Sequence, residues 1–252
     1  MDGNRFSGRV AVVTAAGAGI GAATARRLAA EGATVVVTDV DDELGAALAK
    51  EIVAAGGQAD FVHLDVSARE NWAKLRAHVM EHAGRLDILH SNAARVIVKP
   101  AHELGEQEWD TQLRVTLTGT WLGVRTFAAD LQRSRGAVVI TSSVHALVGL
   151  PGHPAYAAAK GGLTALARQL AVEYGPEVRV NAVLPGPILT AMWDGIGDDA
   201  RAASATATVA QRLGRPEEVA AVVAFLASDD ASYMTGASVV VDGGWSIAKD
   251  SS

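Results

Sequence analysis

Residues 9 to 39 read RVAVVTAAGAGIGAATARRLAAEGATVVVTD, and this stretch decides the fold. Its first seven residues, 9–15, are rich in β-branched residues and do not alternate, the pattern of a strand buried on both faces. Residues 22–32, AATARRLAAEG, read as a helix closed by Gly32. Residues 33–39, ATVVVTD, are a second strand. Strand, helix and strand in so short a span imply parallel pairing through a right-handed crossover.

The same rhythm continues. Helices are expected at 42–57, 68–83, 154–174 and 216–227. Strands are expected at 58–65, 85–93, 136–143, 178–185 and 237–244, with a long polar–apolar stretch at 106–133. The alternation predicts one α/β domain over 1–252, a parallel sheet with helices on both faces. Residues 187–214, PILTAMWDGIGDDARAASATATVAQRLG, break the rhythm. A long Gly-, Asp- and Thr-rich segment of this kind reads as a lid over a substrate site.

With 49% hydrophobic and 20% charged residues, the 252-residue chain has enough apolar material for a sizeable core. A net charge of −6 argues against nucleic-acid partners, which need clustered Lys and Arg. There is no cysteine, so disulfides and thiolate metal sites are excluded. The first residues, MDGNRFSGRV, lack a signal pattern, and the uncharged run Val10 to Ala25 is too rich in Gly, Ala and Thr to suit a membrane span. The expectation is a soluble, cytoplasmic protein with no membrane partner. HVMEH, residues 78–82, has the spelling of a zinc-peptidase motif, but two surface histidines on an amphipathic helix explain it, and no metal is expected.

Between the first strand and helix lies TAAGAGIGAA, residues 14–23. Glycines here let the backbone turn tightly and approach a pyrophosphate, while the helix N-terminus offers free N–H groups. The setting inside a βαβ unit raises this above an ordinary tight turn. Asp39 ends the second strand. A carboxylate there can accept from ribose hydroxyls and would repel a 2′-phosphate, which favours NAD over NADP; a solvated strand-end carboxylate is the plainer alternative.

Tyr156 and Lys160 stand one helical turn apart in YAAAK, on one face. A free phenol ionises near 10, and a neighbouring cation lowers that value. Ser143 closes the preceding strand and could hold a substrate oxygen beside the phenol. The set can move a proton to or from an alcohol oxygen while hydride goes to a cofactor.

In combination these motifs resemble the short-chain dehydrogenase/reductase family, from about Arg9 to Trp245. Thr14 to Gly21 resembles the family's glycine turn, with Gly17, Gly19, Ile20 and Gly21 on the cofactor. Ser91-Asn92-Ala93-Ala94 resembles its N-N-A-G motif, and Pro185-Gly186-Pro187-Ile188-Leu189-Thr190 its nicotinamide segment. Asp65-Val66 resembles the pair beside the adenine, and TGASVVVDGGW is similar to the family's ending. The resemblance implies a Rossmann-type doubly wound sheet of about seven parallel strands in the order 3-2-1-4-5-6-7, and a homo-oligomer, tetramer or dimer. It makes Ser143, Tyr156 and Lys160 catalytic. It also implies NAD contacts from Asp39, Asp65, Val66, Asn92, Tyr156, Lys160, Pro185, Gly186, Ile188 and Thr190.

Three positions depart from the family pattern. Ala15 replaces the first glycine, where a methyl fits a negative φ. Ser91 and Ala94 replace the outer residues of N-N-A-G. Thr116 replaces a helix Asn that in the family bends the helix and holds a proton-relaying water. Thr116 is expected to substitute with a shorter reach, bonding a carbonyl of its own helix or a water. Around the pocket, His145 and His153 either face the substrate or are loop histidines held by backbone. Arg95 either meets an acidic substrate group or faces solvent. Trp193 either covers the substrate or caps the fold. The expectation is an NAD(H)-dependent oxidoreductase interconverting a small secondary alcohol and its ketone. The alternatives are a 3-oxoacyl-carrier-protein reductase-like enzyme, a 3-hydroxybutyrate dehydrogenase-like enzyme, or a non-catalytic NAD-binding scaffold.

Overall fold

The computed structural model describes residues 4–248. Seven parallel strands form one sheet in the order β3-β2-β1-β4-β5-β6-β7. They are β1 (Val10–Thr14), β2 (Thr34–Asp39), β3 (Gln58–His63), β4 (Ile88–Ser91), β5 (Ala137–Thr141), β6 (Arg179–Pro185) and β7 (Ser238–Val241). Every residue of β1, β4 and β5 is buried, as the apolar runs of β1 and β5 lead one to expect, and in β4 this includes His90 and Ser91.

Helices lie on both faces, and eight α-helices form among the described residues: α1 (Gly19–Ala30), α2 (Asp42–Ala54), α3 (Arg69–His82), α4 (Glu106–Leu113), α5 (Gly119–Ser134), α6 (Pro154–Tyr174), α7 (Asp198–Thr206) and α8 (Pro216–Ala227). One apolar layer gathers Leu28, Val37, Leu48 and Val223. The opposite layer gathers Trp72, Phe127, Ile140 and Leu163. The strand order reverses between β1 and β4, and such a switch point opens a crevice at the carboxyl ends of the strands.

Several boundaries differ from the expected ones, for physical reasons. α1 begins at Gly19, inside the glycine turn, because Gly21 packs so closely that a Cβ there would lie 2.2 Å from the Ala15 carbonyl oxygen. β4 has four residues, not nine. Arg85 is drawn off the strand to pair with Asp87, whose other oxygen accepts from Val10 N at 2.9 Å. Between α4 and α5, Arg114–Thr118 forms a π-helical turn. Within 187–214, α7 forms with no buried residue, so the segment has helix but little core. No helix among the described residues is long and apolar enough to cross a membrane.

Ala15 corrects one expectation. Its φ is +49°, in the left-handed region, not negative. Ala16 N donates to Thr38 O at 2.9 Å, and Asn92 Nδ2 donates to the Ala15 carbonyl at 3.3 Å. These contacts on both sides hold the residue in a conformation that disfavours a β-carbon.

Candidate active site

The crevice is built from three strand ends. Asn92, just after β4, donates from its backbone N to Thr14 Oγ1 at 2.8 Å and from Nδ2 to Thr14 O at 3.2 Å. The amide thereby ties the end of β1 to the end of β4 and fixes the start of the glycine turn. Ala18 at the N-cap of α1 makes no side-chain cap, and the first turn carries no acid. The N–H groups of Gly19, Ile20 and Gly21 are thus left for an anion. Gly19 has φ +55°, and a Cβ on it would press the Thr190 methyl at 3.2 Å. The glycine turn and the segment after β6 therefore face each other across the crevice. Ile188 is buried there, and Gly186 allows Asp242 to come so close that a Cβ would lie 2.5 Å away.

Asp39 Oδ2 accepts from Gly17 N at 2.8 Å, and Oδ1 accepts from Asp41 N at 3.0 Å. The carboxylate thus stands at the rim of the turn. Asp65 Oδ1 accepts from Ser67 N at 2.8 Å and from its hydroxyl at 2.7 Å, which closes a tight loop after β3. Val66 is buried and receives the Trp72 indole N–H on its carbonyl at 2.9 Å. This glycine-lined, acid-rimmed cradle fits a dinucleotide: donors for pyrophosphate at α1 and an acceptor for ribose hydroxyls at Asp39.

On the other side stands α6, with Pro154 at its first position and Tyr156 and Lys160 on the face turned to β5. Both are buried, Tyr156 at 9% and Lys160 at 1% exposure. Lys160 Nζ donates to Thr141 O at 2.7 Å and lies 5.4 Å from the centre of the Tyr156 ring. Burial pushes Lys160 down to about 7. Burial also raises the Tyr156 phenol, while its hydrogen bond with Ser143 acts to lower it. Here the ammonium faces the ring and is anchored on a carbonyl, and desolvation dominates. Ser143 caps a short 3-10 turn at Val144–Ala146, accepting from His145 N at 3.2 Å.

Thr116 lies in the π-helical turn, fully buried. Its hydroxyl accepts from Arg95 N at 3.1 Å, while the Thr116 carbonyl accepts from the Thr120 hydroxyl at 3.1 Å. Of the two expected partners, a carbonyl of its own helix or a water, the carbonyl is not bonded. The hydroxyl instead ties the helix to the loop after β4. Bent helices at functional sites often carry such a π turn.

The pocket residues divide. His145, His153 and Tyr156 form a ring cluster, with centroids 4.8 Å apart for the histidines and 5.1 Å for His145 and Tyr156. Burial, with smaller contributions from His153 and Lys160, pushes His145 down to about 4. His153 Nδ1 donates to Pro151 O at 2.8 Å. The Arg95 side chain is exposed. Trp193 Nε1 donates to Ile188 O at 2.8 Å, so the indole braces the segment after β6.

Two residues escaped the sequence reading. Thr141 supplies the carbonyl that anchors Lys160, and nothing in sequence marks a backbone acceptor. His90, a lone histidine in an otherwise apolar strand, was the available signal; its Nε2 lies 2.9 Å from Thr141 Oγ1. In HVMEH, His78 meets Asp60, and His82 Nδ1 donates to His78 O at 2.9 Å. Among the described residues no group of three or more metal-ligating side chains forms.

The sequence profile of a family described as enoyl-(acyl carrier protein) reductase matches residues 14–246. Cyclopentanol dehydrogenase of Comamonas testosteroni is 37% identical over 245 residues, 96% of this chain and 98% of that protein. Cis-4-hydroxycyclohexanecarboxylate dehydrogenase of Sinomonas cyclohexanicum is 42% identical over 246 residues, again 96% and 98%. A solved structure from Agrobacterium tumefaciens matches with a TM-score of 0.94 at 28% identity, covering 99% of this chain and all of that one. With matches along nearly its whole length and the same strand order and glycine crevice as expected, the chain belongs to the short-chain dehydrogenase/reductase family.

Proposed function

We propose that the protein is an NAD-dependent dehydrogenase that interconverts a small secondary alcohol and its ketone. The observation that carries the reading is the buried group of Ser143, Tyr156 and Lys160 gathered at the carboxyl end of β5. Ser143 holds the carbinol oxygen, and Tyr156 takes its proton as the carbon–oxygen double bond forms. NAD⁺, when bound, supplies the acceptor for the hydride leaving the same carbon. Lys160 binds the nicotinamide ribose and, when charged, favours the phenolate. Because burial raises the phenol, oxidation gains rate as pH rises and ketone reduction gains as it falls.

Asp39 supports NAD over NADP, since Asp41 and Asp42 leave no cation beside it to receive a 2′-phosphate. Gly17, Gly19, Ile20 and Gly21 hold the pyrophosphate, and Asn92 braces that turn. Asp65 and Val66 hold the adenine side. Pro185, Gly186, Ile188 and Thr190 hold the nicotinamide. Thr116 keeps the π turn behind the site. His145 and His153 form a pocket wall beside Tyr156, Arg95 stands at its mouth, and residues 187–214, braced by Trp193, act as the lid. The reading places the enzyme in the cytoplasm with the free coenzyme pool. It also makes the enzyme a homo-oligomer, which the exposed Trp121 and Trp109 of α5 and α4 support. The names of the cycloalkanol-oxidising relatives favour a small cyclic alcohol.

The test is absorbance at 340 nm with NAD⁺ and NADP⁺ over cyclic alcohols, acyclic diols, hydroxy acids and steroids. Reduction of NAD⁺ by a small secondary alcohol is expected. Turnover confined to NADP⁺ or to acyl thioesters would contradict the reading.

A further inference from the structure

His90 has no part in the chemistry described above, yet its burial is complete. It pairs in register with Val13 on one side and Val139 on the other. An aliphatic residue would suit such a strand, and burying an imidazole costs desolvation. Only one ring nitrogen recovers a partner: Nε2, at 2.9 Å from the Thr141 hydroxyl, while Nδ1 has none among the described residues.

The partner gives the histidine its meaning. The Thr141 carbonyl receives the Lys160 ammonium at 2.7 Å, and the hydroxyl of the next residue, Ser142, donates to the Lys160 carbonyl at 2.7 Å. The end of β5 therefore grips Lys160 by head group and backbone alike, and His90 ties that strand end to β4. Among the described residues, the Tyr156 ring centre lies 5.4 Å from the ammonium, and the lysine's charge also bears on His145 in the 3-10 turn and on His90 in β4. His90 itself is pushed down to about 3, by burial first and by the Lys160 charge second, so it stays neutral beside the lysine.

We propose that His90 is a positioning residue for Lys160: its hydrogen bond to Thr141 fixes the carbonyl on which the lysine's ammonium rests. The inference deepens the Ser143, Tyr156 and Lys160 reading and rests on it for its effect on turnover.

The test is a direct titration of Lys160. Lysine labelled with carbon-13 at Cε is followed by NMR against pH in the whole protein, with the resonance assigned through Lys160→Met. His90→Val and Thr141→Val each remove the link and make the surroundings more apolar. Each is expected to move the Lys160 midpoint down by about half a pH unit or more. His90→Gln, whose amide reaches the place of Nε2, restores it. With an alcohol substrate, the two valine variants lower kcat about tenfold with KM little changed, and the double variant is no worse than either alone. Superimposable Lys160 titrations in the wild type and in Thr141→Val would overturn the proposal, even if His90→Val failed to fold. A shifted midpoint in a protein that oxidises no alcohol would sink the dehydrogenase reading and leave the positioning role standing. Turnover with an unmoved midpoint would do the reverse.

Discussion

Replacing Asp39 by Asn changes one atom, and its consequences follow from the site geometry. Oδ2 accepts from Gly17 N at 2.8 Å and Oδ1 from Asp41 N at 3.0 Å. A carboxamide keeps one acceptor oxygen, so one of these turn bonds is lost. A bond of that kind contributes about 1 kcal/mol, which is about 2–4 °C of melting temperature for a chain of this size. The larger effect falls on the cofactor. Hydrogen bonds from ribose hydroxyls to a charged acceptor contribute about 1.5–3 kcal/mol each, so NAD⁺ binding weakens by about 2 kcal/mol, roughly thirtyfold. For NADP⁺, removing a charge about 4 Å from the 2′-phosphate relieves up to about 4 kcal/mol at an effective dielectric of about 20. Asp41 and Asp42 remain near, so only part is recovered, on the order of tenfold. The ratio of kcat/KM for NAD⁺ over NADP⁺ is therefore expected to fall at least about a hundredfold. Fluorescence titration with NADH and NADPH should show the same ratio without turnover. A melting temperature that drops while the ratio stays within about threefold would refute the reasoning. The carboxylate would then serve the turn alone.

Other changes probe other parts of the site. Ala15→Gly removes a β-carbon at φ +49°. The relief, about 1–2 kcal/mol less the entropy of an added glycine, leaves a gain of about 0.5–1 kcal/mol and a melting temperature higher by about 2 °C. A lower melting temperature would show that the methyl packs favourably. Thr116→Asn keeps a side-chain acceptor for Arg95 N and restores the family's amide, so turnover should stay within about threefold. A large loss would mean that the threonine is no simple replacement. Stability should decline in mild acid. His90 is held at about 3 in the folded chain, so below about 6.5 the unfolded chain takes up a proton that the folded chain refuses. The cost grows by up to about 1.4 kcal/mol per pH unit as pH falls, and His145, partly exposed, adds a smaller share. Urea midpoints at pH 7, 6 and 5 check this. An unchanged midpoint in the wild type, or no flattening in His90→Gln, would contradict it.

What sequence made legible was local. Val-rich runs, the glycine turn and Gly32 each depend on neighbours a few residues away, and they fixed the βαβ rhythm. Tyr156 and Lys160 could be read because one helical turn places both on one face. Features that depend on distant partners were not legible. The π turn at Arg114–Thr118 is tied through Arg95 N, about twenty residues upstream. The positive φ of Ala15 is imposed by Asn92 and Gly21, and no property of alanine announces it. Helix α7 carried a signal in Gly197-Asp198-Asp199, an acid-rich start, but the Gly and Thr around it read as loop. The pull of burial on Tyr156 and Lys160 depends on how much of the fold covers them, which spacing does not show.

The central claim is that the Tyr156 hydroxyl carries the proton during hydride transfer. Tyr156→Phe removes that oxygen and keeps the ring that packs against His145 and Lys160. The decisive measurement is single-turnover reduction of NAD⁺ at 340 nm with a reactive secondary alcohol, beside an NADH titration of the same variant. The account predicts a loss of about a thousandfold in the rate, with NADH affinity within about threefold of the wild type. A variant that keeps more than about a tenth of the rate while binding NADH normally would contradict it.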